Sequence, residues 1–193
     1  REDGGKYVSD RTLAVAFLHD FLPGSQEAAV KALAEKADFV KLSYPANAVW
    51  RMKALAKAGR CDAVTEEFHT LWMQMDSLRY NNTLQEGYRM RPDSFDEWSH
   101  CPLAPGLAPF EYYAGLRCEE EGFRRFSLRP CLGGLPSLEF LARTVSGDIR
   151  FHYEDGALRV EFPAGMEGTL LLPGRAPAAL EAGKTYELPE NVR

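Results

Sequence analysis

The sequence has no apolar run approaching the roughly 20 residues that a membrane-spanning helix needs, so the chain is not expected to cross a bilayer. It also has no excess of positive charge, because its 23 basic residues are outnumbered by 28 acidic ones and the formal net charge is -5. Nucleic acids and anionic membranes attract clustered Lys and Arg. The composition therefore argues against both a nucleic acid and a membrane surface as partners.

Cysteine is scarce, and the four cysteines lack the CxxC spacing of a zinc site. They are also too few for a dense disulfide framework, so we expect neither a metal site nor a cofactor. Free buried thiols are the favoured interpretation, with one or two disulfides as the alternative in an exported protein. The four are Cys61, Cys101, Cys118 and Cys131.

The chain begins at Arg1 and no secretory apolar segment follows, so the sequence does not identify a compartment. We expect it to be a piece of a longer protein.

The first half of the chain has helical periodicity. Apolar residues recur at spacings of three and four, and each run is bounded by capping or breaking residues such as Ser25, Pro23-Gly24 and Gly59. Short links between these runs are typical of packed helical hairpins. Five helices are predicted, over about 12–22, from 26 onward, 46–58, 64–78 and 107–116.

After Gly122 the period changes to two, as in Leu138, Phe140 and Ala142. Asp155-Gly156 between two such runs is a strong hairpin signal. The spacing predicts a small antiparallel β-sandwich of six to eight strands. The fold class is therefore α+β with two domains, a helical domain over 1–119 and a β domain over 120–193.

The polar segment between residues 80 and 105 lacks either period and is rich in acids and aromatic side chains. Sugar sites need this mixture, because aromatic faces pack on a pyranose while a few polar groups select its hydroxyls. Tyr88 and Trp98 are the predicted stacking residues. An ordinary acidic surface loop remains the alternative. The other candidate polar groups are Glu86, Asp93, Asp96, Glu97 and His100.

The order of motifs resembles the end of the catalytic barrel of bacterial α-L-rhamnosidases. A W-x-x-M helix end at Trp72–Met75 leads into Thr83-Leu84-Gln85-Glu86, then Ser99-His100 and a helix ending at Gly115-Leu116. The β half is similar to the C-terminal domain of that family. The motifs there are Glu121-Gly122-Phe123, Leu128-Arg129-Pro130, Ser146-Gly147-Asp148-Ile149, Phe162-Pro163 and Leu171-Leu172-Pro173-Gly174.

The resemblance implies a glycoside hydrolase with an (α/α)6 barrel that inverts configuration. Glu86 would then be the general base, and His100 would contact a sugar hydroxyl. A competing register over Ser94–Trp98 would make Glu97 the base. Gln85 departs from the family, which has an aromatic residue before the glutamate, so a related glycoside is an alternative to a rhamnoside as substrate.

Five helices are too few to close such a barrel, so the general acid is expected upstream of Arg1 and the chain alone is expected to be inactive. Its open barrel faces are expected to associate as a homodimer. A terminal rhamnosyl or related glycoside is the predicted substrate. Two alternatives remain, a non-catalytic carbohydrate-binding or scaffold module and a degenerate member of the family.

Overall fold

The computed structural model describes residues 6–89 and 101–192. The chain divides into two compact units, Arg1–Gly106 and Leu107–Arg193. Helices dominate the first unit and strands the second, so the predicted α+β class is confirmed. The predicted domain limit after residue 119 lies within the second unit.

The first unit is built from short helices. Helix α1 packs against α2 and α3, and α3 packs against α4. Two residues before α1 pair in parallel with two residues after α2, Val8 with Val40 and Ser9 with Lys41. The described elements are β1 (Val8–Ser9), α1 (Asp10–Leu18), α2 (Gln26–Ala34), β2 (Val40–Lys41), α3 (Ala48–Lys57), α4 (Cys61–Thr70), α5 (Asp76–Asn81) and α6 (Ala104–Leu107), with 3-10 turns at Pro45–Asn47 and Trp72–Gln74.

The core of this unit combines alanines with a few large side chains. On α3, Ala48, Met52 and Leu55 follow the i, i+4, i+7 spacing of one helix face and are buried. The small alanines allow the short helices to approach closely. Trp72 is buried, whereas Trp50 on α3 is 38% exposed. The other buried apolar residues include Ala14, Phe17, Leu33, Ala54, Cys61, Val64 and Met75.

Two predicted helices are shorter in the structure. The first ends at Leu18 rather than at 22, because Asp20 adopts a positive φ of 57° and Phe21 is 72% exposed. The fourth is broken at Leu71, where the backbone leaves helical geometry before a 3-10 turn. The break lets the indole of Trp72 return to a side chain five residues earlier, which does not share its face in a continuous helix.

The end of α3 follows the prediction. Gly59 has φ +74°, the Arg60 amide donates to the Leu55 carbonyl at 2.8 Å, and the Gly59 amide donates to Ala56 at 3.0 Å. This pair of hydrogen bonds defines a Schellman motif, which requires a left-handed residue that glycine adopts without strain.

The second unit contains two four-stranded sheets, ordered β10-β7-β6-β5 and β3-β4-β8-β9. Within the described residues the strand pairs are antiparallel, as predicted, except for β4 and β8, which run parallel. The long connection between β4 and β8 contains the whole β5–β7 meander, which leaves β8 free to return in the same direction as β4. The strands are β3 (Arg117–Cys118), β4 (Arg125–Leu128), β5 (Ser137–Thr144), β6 (Gly147–Glu154), β7 (Ala157–Glu161), β8 (Glu167–Leu170), β9 (Ala178–Leu180) and β10 (Thr185–Glu187).

The interior of this unit is lined by alternate residues of its strands. On β6, Ile149, Phe151 and Tyr153 are buried while their sequence neighbours are exposed. Phe126 of β4 meets Phe162 edge to face with ring centroids 5.2 Å apart. Each sheet therefore turns one apolar face inward, as the alternation predicts.

The hairpin between β6 and β7 is confirmed. Glu154 pairs with Ala157, which leaves a two-residue loop, and both Asp155 and Gly156 have positive φ, at 47° and 94°. This is the type I′ geometry whose twist matches that of the flanking strands.

The fifth predicted helix is a composite. Helix α6 covers only Ala104–Leu107, and a π-helical segment follows over Ala108–Tyr113. The wider turn places Phe110 against Phe140 of β5, with ring centroids 4.7 Å apart.

The cysteines form no disulfide. Cys61 is buried and Cys131 is half-buried, whereas Cys101 and Cys118 are exposed, so the expectation of buried thiols holds for Cys61 alone.

Gly115 allows a close approach between two backbone segments. It has φ +60°, its carbonyl accepts from the Arg129 amide at 3.2 Å, and a Cβ at this position would overlap the Arg129 carbonyl. Gly174 has a similar φ of +68° with open space around it. Both glycines adopt a left-handed backbone conformation, but only at Gly115 is there no room for a Cβ.

We expect Gly115→Ala to lower the unfolding free energy more than Gly174→Ala does, by about 1–3 kcal/mol for the forced overlap. Both variants carry a left-handed alanine, which costs roughly 1–2 kcal/mol. Urea unfolding of the 193-residue chain measures the difference. Equal destabilisation by the two substitutions would contradict the close approach.

Candidate functional site

The segment after α5 is attached to the first turn of that helix. The Ser77 hydroxyl donates to the Thr83 carbonyl at 2.9 Å, and the Thr83 amide donates to the Ser77 carbonyl at 3.3 Å. Asn82 ends α5 in the left-handed conformation and turns the chain back toward Ser77. The residues that follow therefore run beside the helix start.

Gln85 continues this attachment with its side chain. Its amide oxygen accepts from the Ser77 amide at 3.0 Å, and its amide nitrogen donates to the Gly87 carbonyl at 2.8 Å. Ser77 lies in the first turn of α5, where backbone amides have no partner within the helix. Gln85 is 1% exposed, so the residue that departs from the family motif is a buried cap for α5.

Glu86 lies between two buried residues, Gln85 and Gly87, and is itself exposed. The backbone on either side is held inside the unit while the carboxylate faces solvent. An exposed carboxylate on an anchored turn can accept a proton from a water molecule without first being released from an internal partner.

Tyr88 is turned inward. Its hydroxyl accepts from the Arg51 guanidinium at 3.1 Å, and its ring meets Trp72 edge to face with centroids 5.7 Å apart and an interplanar angle of 83°. The predicted stacking residue therefore has both its ring and its hydroxyl engaged within the unit.

Arg51 is the centre of a buried ionic network. Its guanidinium donates to Glu67 twice, at 2.8 Å and 2.6 Å, and it also forms an ion pair with Asp10. All three side chains are essentially without solvent exposure. Glu67 also accepts from the Trp72 indole at 3.1 Å, which joins the network to the base of the Glu86 segment.

Asp10 joins a second part of the backbone to this network. One carboxylate oxygen accepts from the Arg11 amide at 2.7 Å and from the Ser43 amide at 2.9 Å, while the other faces Arg51. Asp10 is the first residue of α1, so its carboxylate links the start of that helix to the buried guanidinium.

The electrostatics of the network follow from its burial. Removal from water disfavours the charge on Arg51, but the neighbouring Glu67 carboxylate outweighs this effect and the pKa of Arg51 is raised. Burial raises the pKa of Tyr88 to about 12, where the Arg51 charge opposes the rise and the Glu67 charge adds to it. Arg51 therefore stays charged and Tyr88 stays protonated over the whole physiological range.

Three predicted site residues, Glu97, Trp98 and His100, lie outside the described residues. The structure therefore locates Glu86 and Tyr88 only, and it brings Tyr88, but not the exposed Glu86, to the buried network.

Sequence reasoning missed Arg51, Glu67 and Asp10. A signal was present, because Arg51 falls on the same helical stripe as Ala48, Met52 and Leu55. A charged residue on an apolar stripe is buried with its charge and needs an opposite charge beside it. The carboxylates that meet this need are far apart in sequence, which is why spacing alone did not identify them.

The second unit has a separate depression of about 310 Å³ beside β4 and β8. One of its carboxylates, Glu119, accepts from the Ser127 hydroxyl at 2.5 Å and so has a structural partner. The lining residues are Glu119, Arg125, Phe126, Glu167 and Thr169.

Among the described residues, no cluster of His, Cys, Asp or Glu could hold a metal ion. No helix in that same part of the chain is long and apolar enough to span a bilayer.

Comparison with known proteins agrees with this architecture. Residues 115–187 match the family model of the bacterial alpha-L-rhamnosidase C-terminal domain. The chain resembles the C-terminal part of an α-L-rhamnosidase. No curated protein sequence matches it.

Solved rhamnosidase structures share the fold of nearly the whole chain. The GH78 family rhamnosidase of Bacillus sp. GL1 superposes with a TM-score of 0.67 at 21% identity, over 87% of this chain and 19% of its own. The native α-L-rhamnosidase of Aspergillus terreus gives 0.69 at 20%, over 93% and 24%. The Streptomyces avermitilis α-L-rhamnosidase, solved with L-rhamnose, gives 0.63 at 17%, over 83% and 18%. This rhamnosidase-like chain thus spans about a fifth of the length of those proteins.

Removing Arg51 should strongly destabilise the first unit. Arg51→Met leaves two carboxylates buried without their cation, which costs about 3–5 kcal/mol. Arg60→Met is the matched control, because Arg60 pairs with Asp62 at 2.9 Å where both side chains are about half exposed, and such pairs contribute under about 1 kcal/mol. Urea unfolding should separate the two variants, and an Arg51→Met chain as stable as the control would contradict the network.

Tyr88 should make stability fall at high pH. Its pKa of about 12 in the folded chain lies above the ordinary tyrosine pKa of roughly 10, so its contribution is present below pH 10 and is lost as the pH rises toward 12. Between these pH values, the unfolding free energy of the wild type should fall by up to about 3 kcal/mol more than that of Tyr88→Phe. Parallel pH profiles for the two proteins would exclude a buried phenol at this position.

Proposed function

We propose that this chain is part of a glycoside hydrolase that cleaves terminal α-L-rhamnosyl or related bonds with inversion of configuration. In this proposal the first unit forms part of an (α/α)6 catalytic barrel, and Glu86 is the general base. The substrate is a carbohydrate, and no metal or cofactor takes part.

The observation that carries the proposal is the placement of Glu86. It is the exposed carboxylate of an anchored turn, in the unit that precedes the rhamnosidase C-terminal domain. The structural likeness extends over 83–93% of the chain and therefore includes this turn's unit. Sequence order supports the same residue, since Glu86 follows the Trp72 turn at the spacing of the family's base.

The proposed mechanism needs two carboxyl groups on opposite sides of the scissile bond. In an inverting enzyme they stand roughly 6.5–9.5 Å apart, which leaves room for the attacking water. Glu86 takes a proton from that water while the water oxygen attacks the anomeric carbon. A carboxylic acid on another loop of the barrel protonates the leaving oxygen.

Trp98 and His100 are proposed as contacts to the sugar, one by stacking and one through a hydroxyl. Glu97 is the alternative base. We favour Glu86 because both of its sequence neighbours are buried, so that its position is defined before substrate binds.

Self-association of the isolated chain is a further part of the proposal. Several large apolar side chains of the first unit are exposed, which supports an apolar surface that a longer barrel would cover. These are Phe21, Phe39, Tyr44 and Trp50.

The test replaces each candidate base in the complete enzyme. A general base contributes about 100- to 10,000-fold to rate, so Glu86→Gln should lower kcat on an aryl α-L-rhamnoside by at least about 100-fold. KM should change less, because Gln keeps the shape of the side chain. Glu97→Gln is the matched control and should lose less than about tenfold.

Azide separates catalysis from structure in the same experiment. This small anion can attack from the water side without a base, so it should restore turnover to Glu86→Gln and yield a glycosyl azide. Loss of activity in Glu97→Gln, with Glu86→Gln still active, would assign the base to Glu97. Hydrolysis by the unmodified 193-residue chain alone would contradict the expectation that the acid lies elsewhere.

A further inference from the structure

Glu86 depends on its neighbours for its position. Its carboxylate is in solvent, so the location of its backbone decides where a bound water would be activated. The segment after α5 has no regular secondary structure up to residue 89. Side-chain anchors must therefore define the turn.

The first anchor precedes Glu86. Gln85 ties the chain to the Ser77 amide at 3.0 Å, and it ties the turn to itself through the Gly87 carbonyl at 2.8 Å. These bonds are between neutral groups and lie close to the helix that the segment has just left.

The second anchor follows Glu86 by two residues and reaches a different part of the unit. The Tyr88 hydroxyl accepts from Arg51 on α3, while its ring meets Trp72 edge to face. Arg51 is itself held by two buried carboxylates, so it presents its N–H group in one direction. A planar guanidinium that is bonded to three side chains at once is a rigid support.

We propose that Tyr88 and Arg51 are positioning residues for Glu86, because they fix the backbone beside the proposed base to the buried network. Two residues of chain span about 7 Å at most, so a shift of the Tyr88 hydroxyl displaces Glu86 directly. A displacement of about 1 Å at a reacting group can cost on the order of 100-fold in rate. This inference rests on the proposed function of Glu86.

The buried network around Arg51 is tied to several other parts of the first unit. Asp10 joins it to the start of α1 and to the Ser43 amide, and Glu67 joins it to Trp72. Three separate stretches of the chain, at Asp10, Glu67 and Tyr88, thus contact one guanidinium. Loss of a single hydroxyl at Tyr88 removes the link to the Glu86 turn while the three charged residues keep one another as partners.

The test compares Tyr88→Phe with Tyr80→Phe in the complete enzyme, on the same aryl α-L-rhamnoside. Phe keeps the ring against Trp72 and removes only the hydroxyl. We expect Tyr88→Phe to lower kcat about 10- to 100-fold with little change in KM. Tyr80 is 80% exposed on α5, so its replacement should leave kcat unchanged within about twofold.

A double-mutant cycle with Glu86→Gln distinguishes positioning from general loss of structure. If Tyr88 acts through Glu86, adding Tyr88→Phe to Glu86→Gln lowers kcat no further. If the two losses multiply, the effect of Tyr88 is structural and the inference is overturned. A wild-type kcat in Tyr88→Phe also overturns it.

Arg51→Lys is the second variant. It keeps the positive charge but loses the planar guanidinium that donates to both Glu67 and Tyr88. We expect the same fall in kcat and the same absence of an added effect in the Glu86→Gln background. A kcat equal to wild type in this variant would contradict the role of Arg51. Full activity of Glu86→Gln would instead refute the proposed base, whichever result the Tyr88 variants give.

Discussion

The first unit depends on one buried cation. Arg51 has no contact with solvent and is held between Asp10 and Glu67. Removing a guanidinium from water costs several kcal/mol, and only close carboxylates and well-directed hydrogen bonds offset that cost. The residues that provide them come from separate helices, so the ionic network specifies how those helices meet. It also explains a break in the chain, since Trp72 leaves the path of α4 to donate to Glu67.

The second unit is stabilised by a different kind of interaction. Its interior is apolar and aromatic, with Phe140 stacked on Phe151 at 4.9 Å and Phe126 against Phe162. Backbone proximity adds a second constraint, because Gly115 and Arg129 approach too closely for any side chain at the glycine. Among the described residues of this unit, no charged side chain is buried.

In the proposed function, the exposed general base lies between residues that are anchored inside the first unit. Glu86 is solvent-exposed, as a base that must bind water has to be, while Gln85 and Tyr88 on either side are engaged inside the unit. Gln85 is also the residue at which this chain departs from the family motif. At this position the chain has a buried amide that caps α5 and is bonded to the Gly87 carbonyl.

Local patterns were sufficient for the fold class, the Asp155-Gly156 turn, the Gly59 helix end and the α-L-rhamnosidase resemblance, because each depends on residues near one another in sequence. The same patterns placed Glu86 on an irregular segment. They did not predict the end of α1, the break after α4, the parallel pairing of β4 with β8 or the π-helical segment at Ala108–Tyr113. These features were decided by the tertiary structure. A helix boundary is set by what its last residues pack against, and a buried ion pair joins residues such as Asp10 and Arg51 that are 41 positions apart, beyond the reach of any periodicity.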